Sequence, residues 1–269
     1  MSTTTKVVIV TGVSSGIGKV TAEKFVERGC VVFGTVRNVG KAEHIRGVEL
    51  VEMDVGNEES VKRAVQSVIA RAGRIDVLVN NAGVSLLGSV EESTIKEAED
   101  LFDTNFFGVL RTMQAVLPQM RTQGSGRIVN VSSVLGLLPA PYMGIYAASK
   151  HAVEGISETL DHEVRRFGIR VTLVEPAYTR TNLDINAPRT RERISAYSAE
   201  RDQVERKIAA NVNGAPEPDS VAETILTAAL GKWRIRRAVS GQAAMLSFLR
   251  RFMPAAPVDA GIRKDFGLN

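Results

Sequence analysis

Short apolar runs alternate with amphipathic stretches along most of the chain. Lys6–Thr11, Val31–Val36, Ile75–Val79, Arg127–Val131 and Arg170–Val174 are rich in valine and isoleucine with little polar alternation. Strands buried on both faces of a parallel sheet read this way. Between them, Val20–Arg28, Glu58–Ala72, Ile95–Met120 and Tyr146–Phe167 place apolar residues at helical spacing, and Gly29 is a natural stop for the first. Strands alternating with helices predict βαβ crossovers and a doubly wound parallel sheet of the α/β class. The 269 residues allow one large domain or two small ones. No break in composition precedes about residue 178, which favours one.

Beyond that point the pattern changes. Thr179–Asn213 is polar and charged with weak helical spacing. It reads as an insertion after a strand end, where ligands sit in open α/β sheets, and as a mobile lid over about 179–213. Asp219–Leu230 resumes as a helix with Asp219 or Ser220 as its N-cap. A C-terminal extension over about 239–269 contains the basic-apolar stretch Ala243–Phe252. That stretch can dock on the protein body, join a subunit interface or lie on a membrane surface. Its few apolar positions favour docking on protein. No solenoid repeat or low-complexity tract is present.

Composition narrows the function classes. An apolar fraction of 44% supports a substantial core, and no run reaches the length of a membrane span. The start, Met1 to Lys6, lacks the apolar segment of a secretory signal. The single cysteine, Cys30, excludes an intrachain disulfide, so a reducing cytoplasm is expected. Net charge is +4, gathered at Arg189–Arg193, Arg234–Arg237 and Arg250-Arg251. No helix-turn-helix, zinc or RNA-binding signature accompanies it, so a solvated basic face is expected rather than a nucleic-acid site. His44, His151 and His162 lack metal-ligand spacing with each other or with Cys30, and no metal is expected.

Thr11-Gly12-Val13-Ser14-Ser15-Gly16-Ile17-Gly18 joins the first strand to the first helix. Glycines there allow a tight turn and close approach to a pyrophosphate, while the helix N-terminus offers free N–H groups. The second strand ends in Gly34-Thr35-Val36-Arg37-Asn38, with an arginine where an acid would bond a ribose 2′-hydroxyl. A guanidinium pairs with a phosphate, so NADP(H) is expected, with the Ser15 hydroxyl as a second contact. Asp54, beside Val55, is placed to bond the adenine amino group or to cap a turn. In Asn80-Asn81-Ala82-Gly83 the amides can lock neighbouring backbone, and Ala82 and Gly83 can leave room for the adenosine ribose.

Tyr146 and Lys150 stand at i and i+4 and share a helix face. A free phenol is a poor base at neutral pH, and a nearby cation favours its ionised form. Such a group exchanges protons with an alcohol or a carbonyl. Arg127-Ile128-Val129-Asn130-Val131-Ser132-Ser133 ends in serines, and a loop through Pro139 and Pro141 can bring Ser133 to the same substrate oxygen. Asn105 lies inside the long Ile95–Met120 helix, where asparagine is a poor fit. It marks a kink, a water site or a polar link to Lys150. Tyr142 is either a substrate wall or loop packing. Leu86, Leu87, Leu137, Leu138 and Met143 suit an apolar pocket or core filling equally.

Taken together, these motifs and their order over residues 6 to about 230 resemble the single-domain short-chain dehydrogenase/reductase family. The resemblance implies a Rossmann sheet of about seven parallel strands. It implies Tyr146 as acid/base, Lys150 bonding ribose and tuning Tyr146, Ser133 holding the substrate oxygen, and Asn105 holding a relay water. Nucleotide contacts would come from Gly12, Ser14, Ser15, Gly16, Ile17, Gly18, Arg37, Asp54, Val55, Asn81, Ala82, Gly83, Tyr146, Lys150, Pro176, Thr179 and Thr181. Thr181 would hold the nicotinamide carboxamide, and Pro176-Ala177 stands where the family usually has Pro-Gly. Ser133, Tyr142 and Tyr146 would meet substrate. The helices Ile95–Met120 and Tyr146–Phe167 resemble the family's dimer-forming pair, so a homodimer or homotetramer is expected. The Gly34–Asn38 segment and the tail are similar to the 17β-hydroxysteroid and retinol dehydrogenase group, which implies a lipophilic secondary alcohol or ketone. The competing expectations are 3-oxoacyl-carrier-protein reduction and a non-catalytic NADP(H)-sensing protein. The second is disfavoured because no member of the catalytic set is missing.

Overall fold

The computed structural model, which describes residues 5–185 and 187–268, brings the valine-rich runs together as one parallel sheet. Its strands are β1 (Val7–Thr11), β2 (Val31–Val36), β3 (Val48–Glu52), β4 (Val77–Asn80), β5 (Gly126–Val131), β6 (Ile169–Glu175) and β7 (Arg236–Ala238). Their order is β3-β2-β1-β4-β5-β6-β7. β1 is buried along its whole length and pairs on both sides, Val8 facing Val32 of β2 and Val77 of β4. The order reverses between β1 and β4, which opens a crevice at the carboxyl ends of those strands.

Parity along β1 divides the core in two. Val8 and Val10 pack with Ala22 and Phe25 of α1 (Gly16–Glu27) and with Val221, Ile225 and Leu226 of a later helix, Asp219–Leu230. Val7 and Ile9 pack with the opposite layer: Val61, Val65 and Val68 of α2 (Glu58–Ala72) and the helices that follow β4 and β5. Both faces of the sheet are therefore covered, as uninterrupted valine and isoleucine runs require. Each such side chain taken fully from water contributes about 1.5–3 kcal/mol.

The expected single helix Ile95–Met120 is instead three segments. α3 (Ile95–Phe102) opens with a reciprocal capping box between Thr94 and Glu97. A π turn follows at Asp103–Phe107, and α4 (Gly108–Gln123) continues from it. The π turn contains Asn105, whose side chain bonds the backbone N–H and carbonyl of Val84, in the segment after β4. α5 (Gly144–Val164) ends near the expected point, and a 3-10 turn completes the stretch to Phe167.

The polar 179–213 segment contains α6 (Asn182–Ile185), a 3-10 turn at Ser195–Tyr197 and α7 (Ser198–Asn213). Asn186 and the first four residues lie outside the described residues. Ile194 and α7 are tied to the residues that precede α3. Glu92 is fully buried, accepts from the Ile194 N–H at 2.8 Å and pairs with buried Arg201 of α7. Burial alone would raise the Glu92 pKa, but hydrogen bonds from Ile194 and Ser89, with Arg201 nearby, hold it below the usual carboxylate range.

α8 (Asp219–Leu230) begins one residue after Pro218, its N-cap, rather than after Asp219 or Ser220. Pro218 has a fixed backbone angle suited to a helix start. Asp219 instead lies in the first turn, 3.3 Å from Lys24 of α1. After β7 come α9 (Gln242–Phe252) and α10 (Ala255–Phe266), the second a helix that sequence patterning did not predict. α10 seats Phe266 in the cluster holding Val204 and Ile208 of α7, and Gln203 donates to the Gly267 carbonyl at 2.6 Å.

Candidate active site

The glycine turn closes over the end of β1. Gly12 has φ +71°, a conformation open to glycine, and a Cβ at Gly18 would lie 2.2 Å from the Gly12 carbonyl oxygen. Gly18 therefore allows α1 to pack against the turn. Ser15 occupies the N-cap position of α1 but its side chain makes no capping hydrogen bond, and the first turn carries no acid. The leading N–H groups of α1 thus keep their capacity for an anion, with no acid in the first turn to oppose one.

From this turn a cavity of about 750 Å³ runs along the carboxyl ends of the strands. Gly12, Ser14, Ser15, Gly16 and Ile17 line one end, with Arg37, Asp54 and Val55 beside them. Asn81, Ala82 and Gly83 form the next stretch, then Ser133, Tyr146 and Lys150, with Pro176, Thr179 and Thr181 opposite. Thr181 sits across from the turn: a Cβ at Gly16 would approach its Cγ2 at 3.2 Å. Among the residues expected to contact nucleotide, only Gly18 is absent from the lining.

The supporting contacts show why these side chains are held where they are. Asn81 Nδ2 donates to the carbonyls of Thr11 and Gly12 at 3.0 and 3.1 Å, while Thr11 Oγ1 accepts from the N–H groups of Asn81 and Ala82. Asn81 thus locks the backbone, and Ala82 and Gly83 present the open surface. Asp54 caps its own turn, accepting from the Gly56 N–H at 3.0 Å, and also faces the cavity. Below them a buried ladder runs from Asn80 to Asn130 at 2.9 Å and from Asn130 to Ser157 at 2.8 Å, which ties β4, β5 and α5 together. Ala177 adopts no positive φ, so that turn is made without glycine.

Tyr146 and Lys150 are both buried on the cavity side of α5. Lys150 Nζ donates to the Val131 carbonyl at 3.0 Å and lies 5.6 Å from the centroid of the Tyr146 ring. Ser133 caps the short 3-10 turn Val134–Gly136, accepting from the Leu135 N–H at 3.1 Å, and keeps its hydroxyl at the cavity wall.

Two expected residues lie elsewhere. Asn105 is buried behind the wall: its Oδ1 accepts from the Val84 N–H at 2.8 Å, and its Nδ2 donates to the Val84 carbonyl at 2.8 Å and to Ser149 Oγ at 3.2 Å. Tyr142 does not line the cavity. It takes φ +61°, unique among the described non-glycine residues, and its hydroxyl donates to Glu200 Oε2 at 3.3 Å while its ring meets Tyr197 edge-on. Burial, with the Glu200 carboxylate beside it, pushes the Tyr142 phenol up to about 12, so it stays protonated. Of the leucines weighed for an apolar pocket, Leu138 lines the cavity together with Met143, whereas Leu86 and Leu87 fill the core beneath.

The far end of the cavity is walled by residues that patterning did not single out: Leu246 and Leu249 of α9, and Val258, Ile262 and Phe266 of α10. The α10 set falls at i, i+4 and i+8, a helical signal that was available. Sequence reasoning also passed over Glu154 of α5. This side chain is buried beside Glu175, and Nη1 of half-buried Arg236 bonds both carboxylates. Burial raises the Glu154 carboxyl to about 7, with Glu175 acting in the same direction.

The donor set fits a nicotinamide dinucleotide: an uncapped helix start behind a glycine turn for phosphates, Arg37 beside it, and Thr181 and Lys150 further along one continuous cavity. A family model described as short chain dehydrogenase matches residues 6–192. The 3-ketodihydrosphingosine reductase of Bacteroides thetaiotaomicron is 45% identical over 181 residues, which are 67% of this chain and 66% of that relative. The chain therefore spans just under two thirds of that relative's length. A short-chain dehydrogenase/reductase from Burkholderia phymatum, solved in complex with NAD, superposes with TM-score 0.79 at 28% identity over 93% of each chain. A short-chain dehydrogenase from Burkholderia cenocepacia, solved with NADP, gives TM-score 0.77 at 26% identity over 97% of this chain and 99% of the other. Glycine turn, strand order, tyrosine–lysine pair and these matches agree: the chain belongs to the short-chain dehydrogenase family of nucleotide-binding oxidoreductases.

Proposed function

We propose that the protein transfers hydride between NADP(H) and a secondary alcohol or ketone of lipophilic character. The observation that carries this reading is the single cavity that joins the uncapped start of α1 to Ser133, Tyr146 and Lys150. When bound, NADPH would supply the hydride in reduction and NADP+ would accept it in oxidation. The protein's own groups manage the proton and the oxygen. Ser133 Oγ donates to the substrate oxygen and fixes it beside the phenol. In reduction Tyr146 gives its phenolic proton to that oxygen; in oxidation it takes the proton from the alcohol. Lys150 holds positive charge near the Tyr146 ring through the buried hydrogen bond to Val131, and positive charge favours the ionised phenol.

Asn105 is better described as a positioning residue. Both of its N–H donors are spent on Val84 and Ser149, and one Oδ1 acceptor is spent on the Val84 N–H. One acceptor site remains for a water, while the rest of the amide holds the Val84 segment against α5.

Selection of NADP(H) is assigned to Arg37, which follows β2 with no acid at the strand end, and to Ser15 across the turn. The leucine, isoleucine and phenylalanine wall from α9 and α10 suits a lipophilic substrate, and the 3-ketodihydrosphingosine named for the Bacteroides relative is a candidate to test. The segment over about 179–213 acts as the lid of that end, hinged on its links to Glu92. Exposed Ile95 and Phe107 on the α3–α4 side suit a homodimer built on α3, α4 and α5. Lone Cys30 suits a reducing cytoplasm. The test is a panel of lipophilic and acyl-linked ketones with each nicotinamide nucleotide, followed by loss of NADPH or NADH absorbance. Turnover of ketones with NADPH is expected; nucleotide binding without turnover across the panel would replace this reading with a sensor.

A further inference from the structure

α9 has two faces of different character. Toward the protein, Ala243 is buried and Leu246 packs on the core beside it; Ser247 Oγ lies 3.5 Å from Glu175 Oε2, and Arg250 Nε donates to the Leu137 carbonyl at 3.1 Å. These contacts fix how the helix is turned. The opposite face carries Met245, Phe248 and Phe252, spaced i, i+3 and i+7, which are 54%, 61% and 65% exposed. Met253, just past the helix, is 39% exposed. The rings of Phe248 and Phe252 meet at a tilt of 43° with centroids 4.8 Å apart, and the Arg251 guanidinium lies 5.7 Å from the Phe252 centroid. Clustered exposed aromatic and methionine side chains of this kind mark a contact surface.

Two features identify the occupant. First, charge: α9 carries Arg250 and Arg251 with no acid, and the chain from Thr224 to Val258 holds no Asp or Glu at all. Second, continuity: Met245 and Met253 belong both to the exposed patch and to the lining of the substrate cavity. The apolar patch is the rim of the cavity. No helix among the described residues is long and apolar enough to cross a membrane, so such a face would lie in an interface rather than span it.

We propose that the outer face of α9 docks on an anionic lipid bilayer, with Phe248 and Phe252 among the acyl chains and Arg251 at the headgroups, so that the cavity opens toward the membrane. The opening of the cavity toward the membrane rests on the proposed function, whereas docking itself is measured without turnover. The experiment is co-sedimentation of the full chain with vesicles of equimolar phosphatidylglycerol and phosphatidylcholine, and with vesicles of phosphatidylcholine alone. Wild type is expected to sediment with the anionic vesicles and to be released as salt rises. The double variant F248S/F252S and, separately, R251E should each weaken that binding at least about tenfold. The circular dichroism spectrum and thermal midpoint should stay unchanged in both variants, which shows that they are folded. Three results would overturn the proposal: no binding of wild type to anionic vesicles, equal binding to both vesicle types, or loss of an oligomer in F248S/F252S by light scattering. The last would assign the face to a second copy of the chain.

Discussion

The ammonium of Lys150 lies 5.6 Å from the Tyr146 ring centroid while it donates to the Val131 carbonyl at 3.0 Å. The hydrogen bond to the end of β5 fixes the charge, and α5 fixes the phenol one turn away. Lys150→Met should therefore lower kcat about a hundredfold or more, the scale on which acid–base groups act, with little change in thermal unfolding. A kcat within a few-fold of wild type would remove Lys150 from the proton-transfer machinery.

Arg37→Asp tests cofactor choice. A charge-assisted contact to a 2′-phosphate is worth about 1.5–3 kcal/mol, so kcat/KM with NADPH should fall by about ten- to a hundredfold. Activity with NADH should hold or rise. Steady-state kinetics with both nucleotides reads this directly, and an unaltered preference would mean Arg37 is solvated.

Glu154 gives a pH signature. Its folded-state pKa is raised from 4.5 to about 7 by burial, so the protonated form is favoured in the folded protein. The stability this confers is complete below about pH 4.5 and is lost as pH rises through 7, up to about 3 kcal/mol. Glu154→Gln removes the titration, while Arg236 keeps Glu158 and Glu175. Urea midpoints from pH 5 to 8 should fall for wild type relative to the variant. Parallel curves would mean that Glu154 does not titrate in that window.

Asp161 has the opposite sign. Burial alone would raise its pKa, but Arg170, the Val171 N–H and Arg165 hold it below its usual value of 3.8. It contributes stability above that pH and loses it as pH falls. Asp161→Asn should cost about 2–3 kcal/mol at neutral pH, read by urea unfolding, and the difference should shrink near pH 3.

Much of this was legible in the chain because it is local. Valine runs mark the strands, and Gly12, Gly16 and Gly18 mark the tight turn between β1 and α1, because backbone geometry there is dictated residue by residue. Asn105 signalled the π turn by being out of place in a helix. What escaped depends on distant partners. β7 is three residues, two of them arginines, and its place at the sheet edge relies on Glu154, Glu158 and Glu175 accepting from Arg236. α7 showed only weak helical spacing because Val204, Ile208 and Val212 are thinly spread among charges, and it is tied to Glu92 far back in the chain. For Tyr142 the chain left a substrate wall and loop packing equally open. Its positive φ and its bond to Glu200 turn it away, and neither can be read from neighbouring residues.

The central claim is that Tyr146 moves the proton in a nucleotide-binding cavity. Tyr146→Phe keeps the ring and removes the hydroxyl. Measured against an active ketone, kcat should fall at least about 10²–10⁴-fold. NADPH should still bind with near wild-type affinity by fluorescence titration. A Phe variant that turns over at the wild-type rate would contradict the account.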